Sequence, residues 1–80
     1  MSAPAKHSLT LNGHRTSVSL ENDFWCAFRE IAETRGRPIN ALAAEIDAGR
    51  DDGTGLATAI RLFVLKDLQS RLKDAGTGAQ

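Results

Sequence analysis

The stretch "LTLNGHRTSVSL", residues 9–20, decides the fold of the N-terminal part of this chain. Asn12-Gly13 is the strongest short-range signal for a two-residue type I′ turn, because both turn positions need a positive φ. A register that pairs Leu11 with His14 then alternates apolar and polar side chains along both strands. The stretch therefore predicts an antiparallel β-hairpin with one apolar face and one polar face.

The two faces of this predicted hairpin differ in chemistry. The apolar face holds Leu9, Leu11, Thr16, Val18 and Leu20. The polar face holds Lys6, Ser8, Thr10, Arg15, Ser17 and Ser19. Such a polar face either meets solvent or meets DNA bases, since the major groove admits a two-stranded ribbon and arginine and hydroxyl groups bond base edges. Alternation by itself favours the solvated face.

Three helices are predicted after the hairpin, in a single domain over residues 6–74. The hairpin covers residues 7–20, the helices cover 22–35, 38–47 and 55–73, and a loop covers 48–54. Gly36 is typical of the position just after a helix, and Pro38 suits the first helical position of the next one. Residues 1–5 and 75–80 have the composition of flexible tails.

Length, charge and cysteine content limit the classes of protein to which this chain can belong. Eighty residues with ten basic and ten acidic side chains form one small, neutral domain, and a domain of this size is marginal alone. Cys26 is the only cysteine, so neither a disulfide framework nor a structural zinc site supports the fold. Oligomerisation is the expected support. Residues 1–20, a quarter of the chain, contain no carboxylate, whereas the net charge of the whole chain is zero, so any DNA binding is expected to be local and salt-dependent.

Other functions have little support in the sequence. No apolar run is long enough to span a membrane, and the N-terminus lacks a signal segment, so the expected location is the cytoplasm. His7 and His14 are not cross-strand partners, and Cys26 has no neighbouring base. Asp51-Asp52 lacks the ligand spacing of a calcium loop. We therefore expect no catalytic residue, no metal site and no cofactor.

The run "RTSVSLENDFWCAFREIAETRGRPINALAAEI", residues 15–46, resembles the ribbon-helix-helix (Arc/MetJ-like) family of bacterial transcription regulators. The shared features are a short strand ending in Leu20, a polar helix start and the joint at residues 36–40, "GRPIN". With the hairpin included, the segment is most similar to a small subfamily of unassigned role. The resemblance implies a ribbon-helix-helix fold, α+β and mostly α. The N-terminal hairpin or arm at residues 6–11 and the extra third helix are additions to the pattern of minimal family members.

The resemblance also implies a function. Two chains would intertwine as a homodimer, and their antiparallel ribbon would read the major groove of double-stranded DNA for transcriptional regulation. The implied base contacts are Arg15, Ser17 and Ser19. The implied phosphate contacts are Lys6, Arg37, Pro38, Ile39 and Asn40. The implied dimer core consists of Thr16, Val18, Leu20, Phe24, Phe28, Ile31, Leu42 and Ile46.

The third helix allows a second interpretation. Apolar residues at helical spacing run through residues 56–72, and they either cover the core or bind a protein partner. The alternative function is therefore a dimeric protein-interaction module, an antitoxin or adaptor, that uses this helix or the sheet.

Overall fold

The structure, a computed structural model, describes residues 3–79 of the chain and the side chains of residues 3–75. It contains the predicted hairpin followed by three helices. The elements are β1 (Ala5–Leu11), β2 (His14–Leu20), α1 (Asn22–Thr34), α2 (Ile39–Gly49) and α3 (Leu56–Ala79). The predicted N-terminal tail lies partly outside the described residues, and its last residue already belongs to β1.

The hairpin has the register that the turn predicts. β1 and β2 pair antiparallel, with Leu11 opposite His14 and Leu9 opposite Thr16. Asn12 has φ 52° and Gly13 has φ 84°, which are the two positive values that a type I′ turn requires. Residues 6–11 therefore form a strand within the chain, not an arm.

Alanine at Gly13 is expected to destabilise the protein. A Cβ in this left-handed conformation costs about 1–2 kcal/mol, although no atom lies within 4 Å of its position. Gly49 is the matched control, since it ends α2 without a positive φ and also has open space around it. Thermal unfolding followed by circular dichroism should give a lower Tm for Gly13→Ala and an unchanged or higher Tm for Gly49→Ala. Equal Tm values for the two variants would contradict the turn assignment.

The helix ends follow local backbone chemistry. Gly36 has φ 65°, its N–H donates to the Glu33 carbonyl at 3.0 Å, and the Arg37 N–H donates to Ala32 at 2.9 Å. This pair of hydrogen bonds is the Schellman motif that ends α1. Pro38 is the N-cap of α2 and not its first helical residue.

The main difference from the predicted boundaries is the length of α3. The helix continues to Ala79, whereas Gly76 and Gly78 led to an expected end at residue 73. Glycine weakens a helix by only about 1 kcal/mol and does not remove a backbone donor as proline does. Residues 74–79 include no proline, so these glycines weaken the helix without interrupting it.

The hydrophobic core closes within one chain. α2 packs against β1, α3 packs against β2, and α1 contacts both of the other helices. The buried side chains are Leu9, Leu11, Val18, Leu20, Phe28, Ile31, Ala32, Leu42, Ala43, Ile60 and Val64. Because α3 contributes Ile60 and Val64, the third helix covers the core of its own chain.

Candidate nucleic-acid interface

The polar face of the hairpin brings together the three residues predicted to contact bases. Arg15, Ser17 and Ser19 are exposed on β2. Opposite them on β1 stand Thr10, Ser8 and Lys6, in that order, and these are exposed as well. The six side chains form one continuous face, which contains one lysine, one arginine, four hydroxyl groups and no carboxylate. We call it the hydroxyl face.

The outer edge of β2 is open. Leu11 and His14 flank the two-residue turn as a hydrogen-bonded pair, and such pairs alternate along an antiparallel ladder. The backbone groups of Arg15, Ser17 and Ser19 therefore point away from β1. Within residues 3–79, β1 is the only strand beside β2. The same three residues thus supply both exposed side chains and a strand edge with no second strand beside it.

The outer edge of β1 is tied to the start of α2. The Thr10 N–H, which points away from β2 by the same alternation, donates to Asn40 Oδ1 at 3.0 Å. Asn40 therefore uses its carbonyl oxygen to hold the hairpin, and its Nδ2 donors remain for other bonds. Sequence reasoning expected Asn40 at a phosphate and missed this structural bond, because it joins residues 30 positions apart.

The first turn of α2 presents unsatisfied backbone donors. The N-cap Pro38 makes no side-chain capping bond, and the Leu42 N–H is the first to bond back, to the Pro38 carbonyl at 3.1 Å. The amides at Ile39, Asn40 and residue 41 precede that bond at the positive end of the helix dipole. Backbone donors at such a helix start suit an anion.

The other two predicted phosphate contacts lie in different surroundings. Arg37, which precedes α2, forms an ion pair with Glu45 of that helix, so its charge is partly neutralised. Lys6 is exposed on β1, four residues from Thr10 and so about 13 Å along the strand. The structure therefore groups residues 37–40 and places Lys6 apart from them, at the far end of the hydroxyl face.

Arg61 on α3 is a residue of this region that sequence reasoning missed. Its guanidinium donates to Glu21 Oε1 at 2.9 Å and to the Ser19 carbonyl at 3.4 Å. It also lies over the Phe24 ring, 5.9 Å from the centroid. Arg61 therefore joins α3 to the open edge of β2. A contact across some 40 residues leaves no signal in local periodicity.

The ion pair with Arg61 predicts a dependence of stability on pH. The pKa of Glu21 lies below its ordinary value of 4.5, first because its carboxylate accepts a backbone hydrogen bond and second because Arg61 donates to it. A lowered pKa in the folded state stabilises the protein above the unfolded value, and this contribution is lost as the pH falls through the folded pKa. The Tm difference between wild type and Glu21→Gln should therefore be largest above pH 4.5 and vanish in stronger acid. A difference that grows in acid would contradict this assignment.

The residues predicted for a dimer core occupy three environments. Five are buried against elements of their own chain: Val18, Leu20, Phe28, Ile31 and Leu42. Phe24 and Ile46 are half-buried beside that core. Thr16 is exposed, although its register places it on the inner face of the sheet. The added third helix explains this distribution, because it covers the apolar face of β2 within the chain.

The remaining histidine and cysteine side chains lie in separate surroundings. Within the described residues, no group of three His, Cys, Asp or Glu side chains is placed to hold a metal ion. The His7 ring stacks on Trp25, with centroids 4.1 Å apart and planes 8° apart, so it packs the hairpin onto α1. Cys26 is exposed. None of the described helices is both long and apolar enough to cross a bilayer.

Comparison with known proteins identifies the family. The family model described as a ribbon-helix-helix domain matches residues 4–68, which include both strands, α1, α2 and the first half of α3. No curated protein and no solved structure matches the chain. Ribbon-helix-helix domains are generally dimeric DNA-binding or regulatory modules. With most of its length matched and the hairpin and helices in the expected order, this chain belongs to the ribbon-helix-helix domain family.

Proposed function

We propose that this chain is a dimeric, sequence-specific DNA-binding protein that regulates transcription in the cytoplasm of a bacterium and has no catalytic activity. The observation that carries the proposal is the coincidence on β2 of an open strand edge and three exposed side chains able to bond bases, Arg15, Ser17 and Ser19. Arginine bonds guanine O6 and N7 with two donors, and serine bonds several bases with less selectivity.

The open edge supports dimerisation through β2. An open edge is a template for another strand. In the proposed dimer, the outward backbone N–H and C=O groups of Arg15 and Ser17 form hydrogen bonds with the corresponding groups of a second copy of β2. The product is a four-stranded antiparallel sheet with β2 strands at the centre and β1 strands outside. Thr16 then lies on the inner face close to the two-fold axis, and the two hydroxyl faces join into one surface.

The width of this sheet assigns different roles to its strands. Three gaps of about 4.8 Å make it about 14 Å wide between the outer strands, whereas the major groove is about 12 Å wide. The two β2 strands therefore enter the groove, and the β1 strands lie over its edges. In this arrangement Arg15, Ser17 and Ser19 face bases, while Lys6 faces a phosphate backbone.

The start of α2 is the second proposed phosphate contact. The Thr10–Asn40 bond holds it beside the outer edge of β1, which is the side of the sheet nearest the DNA backbone. Backbone donors at Ile39 and Asn40 bind the phosphate, Pro38 shapes the turn, and Arg37 contributes a charge shared with Glu45.

Selection of duplexes from a random pool with the full-length protein tests the proposal. We expect an enriched sequence with two-fold symmetry, because a symmetric dimer binds two half-sites. The logarithm of the association constant should fall linearly with the logarithm of the salt concentration, with a slope of about −0.9 for each phosphate that the protein contacts. Absence of enrichment, together with no duplex binding at low salt, would contradict the proposal.

The alternative function is a dimeric protein-interaction module of the antitoxin or adaptor kind. The observation in its favour is a set of exposed leucines on α3, of which Leu72 is 72% exposed. A stoichiometric protein partner that co-purifies despite nuclease treatment, and equally well with Arg15→Ala, would favour this function over DNA binding.

A further inference from the structure

The exposed apolar surface of this protein is concentrated on α3. Within the part of the chain whose side chains are described, all the large hydrophobic residues that are exposed belong to this helix: Leu62 (45%), Leu65 (47%), Leu68 (44%) and Leu72 (72%). Leu65, Leu68 and Leu72 follow one another at intervals of three and four residues, so they lie on one face of the helix. We call these three residues the α3 stripe.

The α3 stripe lies on the same side of the molecule as the open edge of β2. Arg61 precedes Leu65 by four residues and so shares its face of the helix. Its guanidinium reaches the Ser19 carbonyl at 3.4 Å, which points outward from β2. In addition, α3 packs under β2, whereas α2 packs under β1. The stripe therefore continues the surface that begins at the strand edge.

The strand edge alone offers little apolar area for a dimer. Val18 and Leu20, the apolar side chains of β2, are 4% and 0% exposed in the single chain. Pairing two β2 edges therefore buries mainly backbone and hydroxyl groups. Specific dimers bury about 1,200–2,000 Å² in total, with an apolar centre. The missing apolar area has to come from a neighbouring surface on the same side, and the α3 stripe is that surface.

We infer that the α3 stripe packs against the α3 stripe of a second copy of this chain. The inference rests on the proposed β2-to-β2 dimer, whose two-fold axis brings both stripes to the same interface. A two-fold interface is self-complementary, so leucines near the axis meet their own counterparts. The intervals of three and four residues are those of helix–helix seams. The third helix then has two roles, closing the core of its own chain and joining the two chains.

Sedimentation equilibrium of the full-length protein without DNA tests the inference. Leu68→Lys places like charges at the proposed seam, and it should raise the dimer dissociation constant by about tenfold or more, the loss expected for one buried leucine per chain. Leu62→Lys is the control, because Leu62 is equally exposed but lines the cleft between α2 and α3 with Leu42 and Ile46. It should leave the dissociation constant within about twofold of wild type, well under the tenfold step that 1.4 kcal/mol represents.

Cross-linking gives a second measurement that does not depend on destabilising the seam. Leu68→Cys in a Cys26→Ser background should form a disulfide-linked dimer under mild oxidation, and Leu62→Cys in the same background should not. A monomeric wild type overturns the inference. So does a Leu68→Lys variant that dimerises like wild type, or one no weaker than Leu62→Lys. If the Leu68→Lys variant dimerises as wild type does, the α3 stripe is instead a surface for binding a different protein.

The outcomes separate this inference from the proposed DNA binding. A wild-type dimer that Leu68→Lys weakens, but that binds no duplex, supports the seam and rejects the DNA-binding function. A protein that binds a symmetric duplex, and whose dimer Leu68→Lys leaves unchanged, supports DNA binding and rejects the seam.

Discussion

Replacing Phe28 with alanine is expected to lower the free energy of unfolding by about 3–5 kcal/mol, the range for truncating a buried phenylalanine. Phe28 is 0% exposed. Its ring meets Phe63 edge-on at 6.1 Å and lies 6.3 Å from Trp25. The substitution therefore opens a cavity where α1, α3 and the hairpin meet. Because small domains have only about 5–15 kcal/mol of stability, this single change is expected to remove a large part of it.

Urea unfolding at fixed protein concentration measures this effect, with circular dichroism and the fluorescence of Trp25 as probes. The concentration is held constant because dimerisation contributes to apparent stability. Glu30→Ala on the exposed face of α1 is the control and should change stability by no more than about 0.5 kcal/mol. If Phe28→Ala costs less than about 1 kcal/mol, well below the range for such truncations, the side chain does not lie at the centre of the core.

Replacing Arg15 with alanine is expected to have the largest effect on DNA binding. A bidentate arginine–guanine contact contributes about 1–3 kcal/mol of discrimination, and the proposed dimer contains two of them. The dissociation constant for the selected duplex should rise by about 30-fold or more, while affinity for unrelated duplex changes little. Arg15 is exposed, so the Tm should stay close to that of wild type.

Arg29→Ala is the matched control for Arg15→Ala, because it removes the same charge from an exposed position on α1. Fluorescence anisotropy with the selected duplex and with an unrelated duplex compares the two variants at one salt concentration. If both variants lose the same affinity for the selected duplex, the effect of Arg15→Ala comes from net charge alone. Equal losses on both duplexes would move Arg15 from the base contacts to the phosphate contacts.

Local chemistry explains why the hairpin and the helix starts were predictable. Asn12-Gly13 specifies the two positive φ values of the turn, and a two-residue turn specifies the register. Register in turn assigns each strand residue to a face, since side chains alternate. The pattern of the sequence thus placed Arg15, Ser17 and Ser19 on one polar face, and the structure has them there. Gly36 and Pro38 likewise marked the joint between α1 and α2 through backbone preferences of their own.

The remaining features depended on packing between distant parts of the chain. The sequence predicted the third helix but left open which surface it covers. Whether Val18 and Leu20 are buried by their own chain or by a second one was equally undetermined.

The sequence by itself therefore determined the turn, the register, the polar face and the order of the elements, because each rests on the conformational preferences of a few neighbouring residues. Only the tertiary structure decided that α3 closes the core of its own chain through Ile60 and Val64. It likewise decided that Arg61 reaches the open edge of β2 and that Asn40 binds the edge of β1. These contacts join residues at least 30 positions apart, and they form because apolar faces from all five elements share one core.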